Sequence, residues 1–395
     1  MISKKCRVCN SKNLKNVLSL GSQPLANNLE NNPGRSSKYP LGLKLCTKCF
    51  NCQLSYIVPS KKLFDKYLYK SSISNSFIKH FDFACSKFIK YFNLNKYSYI
   101  LDIGSNDGIG LKPFYNRKYK NLFGIEPAKK LSNITNRIGI KTYNCYLNKK
   151  LAKKKSNLFN LITASNVFAH VNDLNEFTRC VNDMLRADGI FVIEVQYLLK
   201  MLKEGSFDNI YHEHVNFWSV YSLKNFLKKF NLEIFDVEQI NTHGGSIRVY
   251  IKKKINTRIL KKKSVEKFLN KEKRFKINTI YPYEKFKKLI NIRKKKLIDK
   301  IKKIKKNNNS IIGYGAPAKG STIINFFKID HYIDYIIDDN ILKNKKFLPN
   351  TKLQILNKPK KNKIDYIFVF AWNFFDEIRK KNKKLSKNFV NIFNV

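Results

Sequence analysis

The residues best suited to chemistry in this chain of 395 residues are Tyr211, His212, Glu213 and His214, in the run FDNIYHEHVNF. Two of the six histidines lie within three positions, with a carboxylate between them. Near neutral pH an imidazole can accept a proton, and a neighbouring carboxylate can hold it in the basic tautomer. The stretch lacks the HExxH spacing that places two metal ligands on one helix face. These four residues alone leave a catalytic base, a zinc pair and a polar loop open.

A second group consists of two CxxC pairs, Cys6 with Cys9 and Cys46 with Cys49. Each pair closes a tight knuckle, and together the pairs offer the four thiolates of a tetrahedral zinc site. Four protein ligands leave no open position, so the predicted zinc is structural. The polar stretch over 20–40 is expected to be a loop excursion that the metal clamps. Four further cysteines are expected in the core: Cys52, Cys85, Cys145 and Cys180.

The elements that must position these residues alternate between strand and helix in the middle of the chain. Apolar residues at helical spacing over 76–95 precede a predicted strand over 99–104. A second strand ends at Glu126, about 20 residues further on, where an acid is suited to bind ribose hydroxyls. A third, over 158–163, leads to NVFAHV and His170. This order predicts an α/β fold with a doubly wound parallel sheet.

The loop after the first strand distinguishes two classes of nucleotide cofactor. A dinucleotide loop usually reads GxGxxG, with amides that face a pyrophosphate. Here the pattern is DxGxxxG, from Asp102 through Gly104 to Gly108. It resembles the first motif of Rossmann-like methyltransferases, whose ligand has no phosphate to cradle. The pattern therefore favours S-adenosylmethionine (SAM) over a dinucleotide.

Three segments follow the predicted sheet. The run 243–248, His-Gly-Gly-Ser-Ile-Arg, allows a tight bend near a ligand, and Arg248 could meet a phosphate, but a simple hairpin turn explains it equally. The lysine-rich stretch 255–309 repeats apolar residues on one helical face, which favours a solvated helix that packs along one stripe. A last α/β unit has a glycine turn at Gly315 and then Lys319, which suits a phosphate.

The net charge is extreme, since 78 Lys+Arg stand against 28 Asp+Glu and give +50. Such a charge suggests an anionic partner, namely RNA, DNA or a phosphorylated small molecule. The lysines are nevertheless spread along the chain among abundant asparagine and isoleucine, which favours compositional drift. No stretch approaches the roughly 20 apolar residues of a membrane span. The start, MISKKCRVC, lacks the apolar run of a signal peptide, so a cytoplasmic protein is expected.

The chain resembles the sugar C-methyltransferases that act on nucleotide-linked 4-keto-deoxysugars. The resemblance rests on features that follow one another along the chain: the four cysteines, LDIGSNDG, NVFAHV, YHEH, HGGSIRVY, GYGAPAKG and the closing AWNF. The resemblance implies four parts: a zinc-binding domain (1–75), a Rossmann-like SAM methyltransferase domain (76–252), a helical connector (253–309) and a smaller C-terminal α/β domain (310–395). It also implies SAM and structural zinc as cofactors and a nucleotide-linked keto-sugar, expected to be dTDP-linked, as the substrate. No specific nucleic-acid or membrane partner is expected, and the chain is expected to be a monomer or weak dimer.

The resemblance assigns roles to the site residues. The residue matching His214 is the base that removes the carbon 3 hydrogen, which the carbon 4 ketone acidifies, and the enolate carbon then attacks the methyl group of SAM. Glu213 would orient or tune the imidazole, and Tyr211 would donate a hydrogen bond to the substrate or enolate oxygen. His212 receives no role. His170 is a further catalytic candidate beyond a strand's carboxyl end, with a structural cap of its loop as the alternative.

The remaining predicted contacts form two sets. The cofactor set is Asp102, Gly104, Asn106, Gly108, Glu126 and Asn166. The substrate set is Tyr67, Tyr69, His243, Arg248, Gly315 and Lys319. The two tyrosines resemble those by which the N-terminal region reaches over the active site, although core aromatics are an equal explanation.

A zinc-containing RNA methyltransferase is the strongest alternative, because zinc, SAM and the positive charge all fit it. Against it, no cysteine near a motif could serve as the nucleophile of a base-carbon enzyme, and the chain lacks an NPP[YF]-type tetrapeptide. The GYGAPAKG unit would also lack a purpose. A non-enzymatic zinc module that binds nucleic acid leaves the cofactor loop and YHEH unexplained.

Overall fold

The computed structural model describes residues 2–64, 71–73 and 75–394, and the side chains of Ile73 and His243 also lie outside the description. The N-terminal segment contains β1 (Leu14–Pro24), β2 (Lys38–Cys46), β3 (Cys52–Leu54) and α1 (Ser60–Phe64). The central segment contains α2 (Asn75–Tyr91), β4 (Tyr99–Ile103), α3 (Lys112–Asn116), β5 (Asn121–Ile125), α4 (Lys129–Arg137), β6 (Lys141–Tyr143), α5 (Lys149–Lys154), β7 (Phe159–Ser165), α6 (Leu174–Met184), β8 (Leu185–Gln196), α7 (Leu198–Glu204), β9 (Asn216–Phe217), α8 (Val220–Leu227), β10 (Leu232–Ile240) and β11 (Ser246–Lys253).

The rest of the chain begins with two lysine-rich helices, α9 (Lys263–Arg274) and α10 (Tyr281–Lys306). The C-terminal segment contains β12 (Ile311–Tyr314), α11 (Ala318–Phe327), β13 (Ile336–Ile337), β14 (Ile355–Leu356), β15 (Tyr366–Val369), α12 (Phe375–Lys381) and β16 (Asn388–Asn391). Short 3₁₀ turns are found at Ser71–Ile73, Phe207–Asn209, Lys228–Phe230, Thr242–Gly244, Asp330–Tyr332, Ile341–Lys343 and Trp372–Phe374.

An antiparallel sheet of four strands, in the order β1-β2-β3-β9, contains the cysteine-rich segment. The loop excursion predicted over 20–40 is shorter in the structure, because β1 extends to Pro24 and β2 begins at Lys38. The three leucines of LGLKL, at alternate positions of β2, are all buried, and this alternation favours the pairing. β9 comes directly after the YHEH stretch and pairs with β3, so this sheet anchors the candidate site.

The central sheet has seven strands in the order β10-β11-β8-β7-β4-β5-β6. The five strands from β8 to β6 are parallel, as predicted. The other edge is an antiparallel hairpin of β10 and β11, which lies beyond the alternating segments from which the parallel sheet was predicted. The connection through Thr242–Gly244 is too short for a crossover and can join only antiparallel neighbours. The carboxyl ends of β4, β5 and β7 lie at one edge, where α/β sheets bind ligands.

The C-terminal sheet has five parallel strands in the order β14-β13-β12-β15-β16. The long helix α10 leads to it and confirms the apolar stripe read from the sequence. Its buried residues include Phe286, Ile290, Leu297, Ile301 and Ile304. Hydrophobic burial of this stripe, and not the charged face, holds the helix in place.

The three sheets share one continuous cluster of buried apolar side chains, to which α10 also contributes. The loop between β1 and β2 reaches the C-terminal segment, where Glu30 and Phe347 exchange backbone hydrogen bonds of 2.8 and 3.0 Å. The Glu30 carboxylate also accepts from the backbone N–H of Asn350 at 3.0 Å. Among the helices of the described ranges, none combines the length and the apolar character needed to cross a membrane.

Candidate active site

The four cysteines of the CxxC pairs converge, and all four sulfur atoms lie within 4.8 Å of one another. The Sγ atoms of Cys6 and Cys49 are 3.5 Å apart, as are those of Cys9 and Cys46. A tetrahedral zinc ion with Zn–S bonds of about 2.3 Å separates its sulfurs by about 3.8 Å. The geometry therefore fits a structural zinc ion, as the sequence predicted.

The backbone of each CxxC pair forms a tight turn. The carbonyl oxygens of Cys6 and Cys46 accept from the backbone N–H groups of Asn10 and Phe50, both at 2.9 Å. Asn10 and Phe50 have φ angles of 58° and 57°, in the left-handed region. The two knuckles thus present their thiols in the same way.

The loop after β4 is shaped by the two glycines of the cofactor motif. Gly104 has a φ of 68°, and a Cβ atom there would lie 2.4 Å from Cγ2 of Val167. Gly108 has a φ of 82°, and its Cβ would lie 3.0 Å from Cγ2 of Thr135. Both positions combine a positive φ with a close neighbour, so a side chain at either would displace the loop.

Two acidic residues stand at the ligand-binding edge of the sheet. In β4, the carboxylate of Asp102 accepts from the Thr163 hydroxyl at 2.7 Å, and burial raises the pKa of Asp102 to about 7. After β5, the carboxylate of Glu126 accepts from the backbone N–H groups of Asn106 and Ala128 at 2.9 and 2.8 Å. These bonds tie Glu126 to the cofactor loop and leave each oxygen a further lone pair for a ligand hydroxyl.

A cavity of 390 Å³ joins the cofactor loop to the histidines of the candidate site. Its lining includes the predicted cofactor residues Asp102, Gly104, Asn106, Glu126 and Asn166 and the predicted catalytic residues His170, Tyr211, Glu213 and His214. Phenylalanine rings supply much of the remaining wall: Phe64, Phe77, Phe81 and Phe177. Folding thus places the two sets of residues, predicted separately from the sequence, around one space. Gly108 shapes the loop behind this lining.

His214 is held through both nitrogens of its imidazole. Its Nδ1 lies 2.8 Å from the carbonyl oxygen of Asn209, and because a carbonyl only accepts, Nδ1 carries the proton. In the neutral ring Nε2 then has the lone pair, to which the Tyr211 hydroxyl donates at 2.9 Å. The side chain is buried at the cavity wall. A backbone carbonyl, and not the carboxylate of Glu213, therefore fixes the tautomer that a base needs.

His170 and Glu213 complete a buried cluster around His214. Nδ1 of His170 donates to the Glu213 carbonyl at 2.7 Å, and the two imidazole centroids are 5.0 Å apart. Burial lowers the pKa of His170 to about 4, so this ring is neutral near pH 7. Burial raises the pKa of Glu213 to about 7, against the hydrogen bond that its carboxylate accepts from Asn27 at 2.6 Å. Asn27 belongs to the loop between the cysteine pairs.

His212 faces away from this cluster. Its Nε2 lies 3.3 Å from the carbonyl oxygen of Tyr39 in β2, and its ring stands edge-on to the Tyr39 ring at 6.0 Å. Burial lowers the pKa of His212 to about 4. Its contacts are therefore with the N-terminal sheet, in keeping with the absence of a predicted role.

Arg248 does not lie where the sequence prediction placed it. The side chain is 1% exposed, and its guanidinium contacts the carboxylates of Glu194 at 2.7 Å and Glu238 at 2.6 Å. Nε2 of His80 lies 2.9 Å from the same Glu194 carboxylate. These internal partners correct the prediction of a phosphate contact at Arg248. The run 243–248 comprises the end of the β10–β11 turn and the first residues of β11, which is the hairpin alternative.

The other predicted substrate contacts are scattered. Tyr67, Tyr69 and the side chain of His243 lie outside the described residues. Gly315 lies in the turn between β12 and α11 and Lys319 in the first turn of α11, and neither residue is part of the lining of the 390 Å³ cavity. Lys319 is half-buried, with its Nζ 5.1 Å from the centroid of the Trp372 ring.

Three polar residues of the site carried no sequence signal. Asn27 lies in a polar loop without periodicity. Asn209 contributes a backbone carbonyl, a group every residue has. Gln196 ends β8 at the cavity, and its amide donates to the Asn209 side chain at 2.7 Å.

Family comparisons match the three parts of the chain in the predicted order. Residues 6–64 match a zinc binding domain. Residues 77–237 match a methyltransferase domain, and residues 241–393 match the C-methyltransferase C-terminal domain. The last of these three descriptions specifies carbon as the methyl acceptor.

The chain is 28% identical over 393 residues to the C-methyltransferase NovU of Streptomyces niveus, an alignment that covers 97% of this chain and 93% of the relative. Among solved structures, the 1,6-didemethyltoxoflavin-N1-methyltransferase of Burkholderia thailandensis has a TM-score of 0.39 at 11% identity and covers 51% of this chain and 95% of its own. A SAM-dependent methyltransferase of Clostridium acetobutylicum has a TM-score of 0.36 at 14% identity, with 49% and 97% covered. The family matches and the full-length relative together identify this chain as a SAM-dependent C-methyltransferase with an N-terminal zinc-binding domain.

Proposed function

We propose that the protein methylates carbon 3 of a nucleotide-linked 4-keto-deoxysugar, with dTDP as the nucleotide, to make a branched sugar of a surface polysaccharide or secondary metabolite. The observation that supports this most directly is an imidazole whose Nδ1 proton is fixed by the Asn209 carbonyl, at the wall of the cavity that also holds the cofactor loop. C-methylation requires a carbon nucleophile, and the carbon beside a ketone becomes one when a base removes its proton.

The cofactor would be held at the carboxyl edge of the central sheet. Glu126 offers its remaining lone pairs to ribose hydroxyls, and the glycine loop sets the path of the backbone beside the ligand. Asp102, Asn106 and Asn166 line the same space. When bound, SAM supplies the methyl group as an electrophile, so the enolate electron pair enters the new C–C bond and the S–C pair stays on sulfur.

The base in this proposal is His214, whose Nε2 takes the proton from carbon 3. The Asn209 carbonyl continues to accept from Nδ1 and stabilises the imidazolium. The Tyr211 hydroxyl, which donates to Nε2 in the structure, turns to the carbon 4 oxygen when the sugar enters and stabilises the enolate charge there. His170, neutral and fixed by the Glu213 carbonyl, orients the sugar beside the base.

The chain would divide into the four domain ranges predicted from the sequence. The nucleotide would bind on the C-terminal unit. In support, Lys319 is a half-buried cation at the start of α11, where the backbone N–H groups of a helix also favour an anion. Gly315 precedes it in the same turn. The sugar would then extend from this unit towards His214.

The test uses labelled SAM and a panel of nucleotide-linked 4-keto-sugars in deuterated water, with methyl transfer and exchange at carbon 3 followed together. We expect His214→Asn to abolish both reactions and to leave SAM affinity unchanged. The matched control is His212→Asn, two positions away, which should retain both reactions because the hydrogen bond and the ring contact of His212 are with Tyr39 of the N-terminal sheet.

Normal exchange by His214→Asn would remove His214 as the base. Methyl transfer to RNA, with none to any sugar, would favour the zinc-containing RNA methyltransferase instead.

A further inference from the structure

The carbonyl group that fixes the tautomer of His214 belongs to the 3₁₀ turn Phe207–Asn209, just before YHEH. The Asn209 side chain secures one end of this turn within the central unit. Its Nδ2 donates to the Ser206 carbonyl at 3.0 Å, and its Oδ1 accepts from Gln196 at 2.7 Å. The position of the base therefore depends on whatever holds the rest of this turn.

The preceding residue, Asp208, is fully buried. Its Oδ2 accepts from the indole N–H of Trp372 at 2.7 Å, whereas its Oδ1 has no hydrogen-bond partner among the described residues. Burial raises the pKa of Asp208, while the charge of Lys319 and the Trp372 hydrogen bond oppose this shift, so the indole is the directional partner of a carboxylate that Lys319 also stabilises. Trp372 comes from the C-terminal unit, 164 positions along the chain from Asp208.

Other contacts clamp the same turn from the same side. The Phe207 ring packs against Phe326, Phe327 and Phe393, with centroids 5.5, 5.0 and 6.2 Å away. The guanidinium of Arg293 in α10 donates to the carbonyl of Gly205 at 2.8 Å, immediately before the turn. The apolar contacts hold the turn against the C-terminal unit, while the Trp372–Asp208 bond is a directional contact that sets its orientation.

We propose that Asp208 and Trp372 are positioning residues for the base. Their hydrogen bond orients the turn Phe207–Asn209, so that the Asn209 carbonyl meets Nδ1 of His214 and keeps the proton off Nε2. The inference rests on the proposed function in one respect, since it takes His214 as the base. Its consequence is that proton abstraction requires the docked C-terminal unit, the same unit that is proposed to hold the nucleotide.

The test replaces Trp372 by Phe, which removes the N–H donor and keeps an aromatic ring beneath Lys319. In substrate-free protein labelled with ¹⁵N-histidine, His214 should show one tautomer in the wild type and a mixture in Trp372→Phe. The His214→Asn variant identifies the His214 signals. Exchange at carbon 3 should slow by about tenfold in kcat, the lower end of what loss of an outer hydrogen-bond partner costs at metal sites. The KM for the sugar and the affinity for SAM should stay unchanged.

Trp218→Phe is the matched control. Trp218 is the chain's other tryptophan, fully buried, with no hydrogen-bond partner for its indole N–H among the described residues. This variant should lose stability and still show the single His214 tautomer. A mixture of tautomers in Trp218→Phe as well would attribute the change to general loosening and overturn the proposal.

A double variant tests whether Asp208 and Trp372 act through the same hydrogen bond. Trp372→Phe in an Asp208→Ala background should slow exchange no further than Asp208→Ala alone, because both changes break the same hydrogen bond. The proposal would be overturned if the two substitutions together slowed exchange by the product of their separate factors. An unchanged His214 tautomer in Trp372→Phe would also overturn it. If exchange persists in His214→Asn while Trp372→Phe still mixes the tautomers, the positioning role stands and the assignment of the base fails.

Discussion

Arg248→Met distinguishes the role predicted from the sequence from the role seen in the structure. The sequence pattern placed Arg248 against a substrate phosphate. In the structure the guanidinium is 1% exposed and bridges the carboxylates of Glu194 and Glu238. Methionine preserves much of the side-chain volume and removes the charge, so two carboxylates lose their shared cation.

The expected loss of stability follows from these contacts. Removing one partner of a buried ion pair costs about 3–5 kcal/mol. Glu194 keeps its contact with His80 at 2.9 Å, and Glu238 keeps the Tyr250 hydroxyl at 2.6 Å. We therefore expect the lower end, about 3 kcal/mol, which lowers the Tm of a unit of roughly 150–250 residues by about 6–12 °C.

The stability lost in Arg248→Met should depend on pH. Burial raises the pKa of Glu194, but the His80 hydrogen bond and the Arg248 charge outweigh it and hold the pKa below the ordinary value. A carboxyl whose pKa is lowered on folding stabilises the fold above its unfolded pKa, and this stabilisation is lost as pH falls through the folded pKa. The Tm difference between wild type and Arg248→Met should therefore shrink below the ordinary glutamate pKa of 4.5.

The assay combines calorimetry at a series of pH values with measurements of SAM binding and of the KM for the sugar. The control is Arg258→Met, the same substitution at an exposed arginine, which should leave Tm unchanged. Adding Glu194→Gln to Arg248→Met should recover part of the loss, because one uncompensated buried charge then disappears. A Tm within about 2 °C of wild type, with a KM for the sugar raised manyfold, would refute this reasoning and restore Arg248 as a substrate contact.

Two further predictions concern the N-terminal segment. Asn27→Ala should raise the pKa of Glu213 above its value of about 7, because Asn27 donates to the ionised carboxylate, and the titration profile of the Glu213 carboxyl carbon, followed by ¹³C NMR, should move to higher pH. The neighbouring Asn28→Ala is the control, and coincident profiles would contradict the coupling. Cys49→Ser should cost the protein its zinc and much of its thermal stability, whereas Cys52→Ser, buried outside the cluster, should retain one zinc per chain by metal analysis. Zinc retained by Cys49→Ser would refute the four-cysteine site.

The sequence by itself determined the features that depend on residues close together along the chain. The strand-to-helix turn at Gly104, the two cysteine knuckles and the apolar stripe of α10 each arise from spacing within one segment. Local hydrogen bonding and hydrophobic periodicity specify such elements wherever the segment lies. The histidine pair was visible for the same reason, and so was the edge of the parallel sheet at which ligands bind.

Only the tertiary structure decided which polar groups meet. Asn27 contacts Glu213 across 186 positions, and Trp372 contacts Asp208 across 164. The acceptor that orients the base is a plain backbone carbonyl, and Arg248 was misread because its partner Glu194 lies on a neighbouring strand. A buried polar group must find a partner, but the partner is chosen by how the sheets pack and not by spacing along the chain. The tautomer of His214 is therefore a property of the packed molecule, although His214 itself stands out in the sequence.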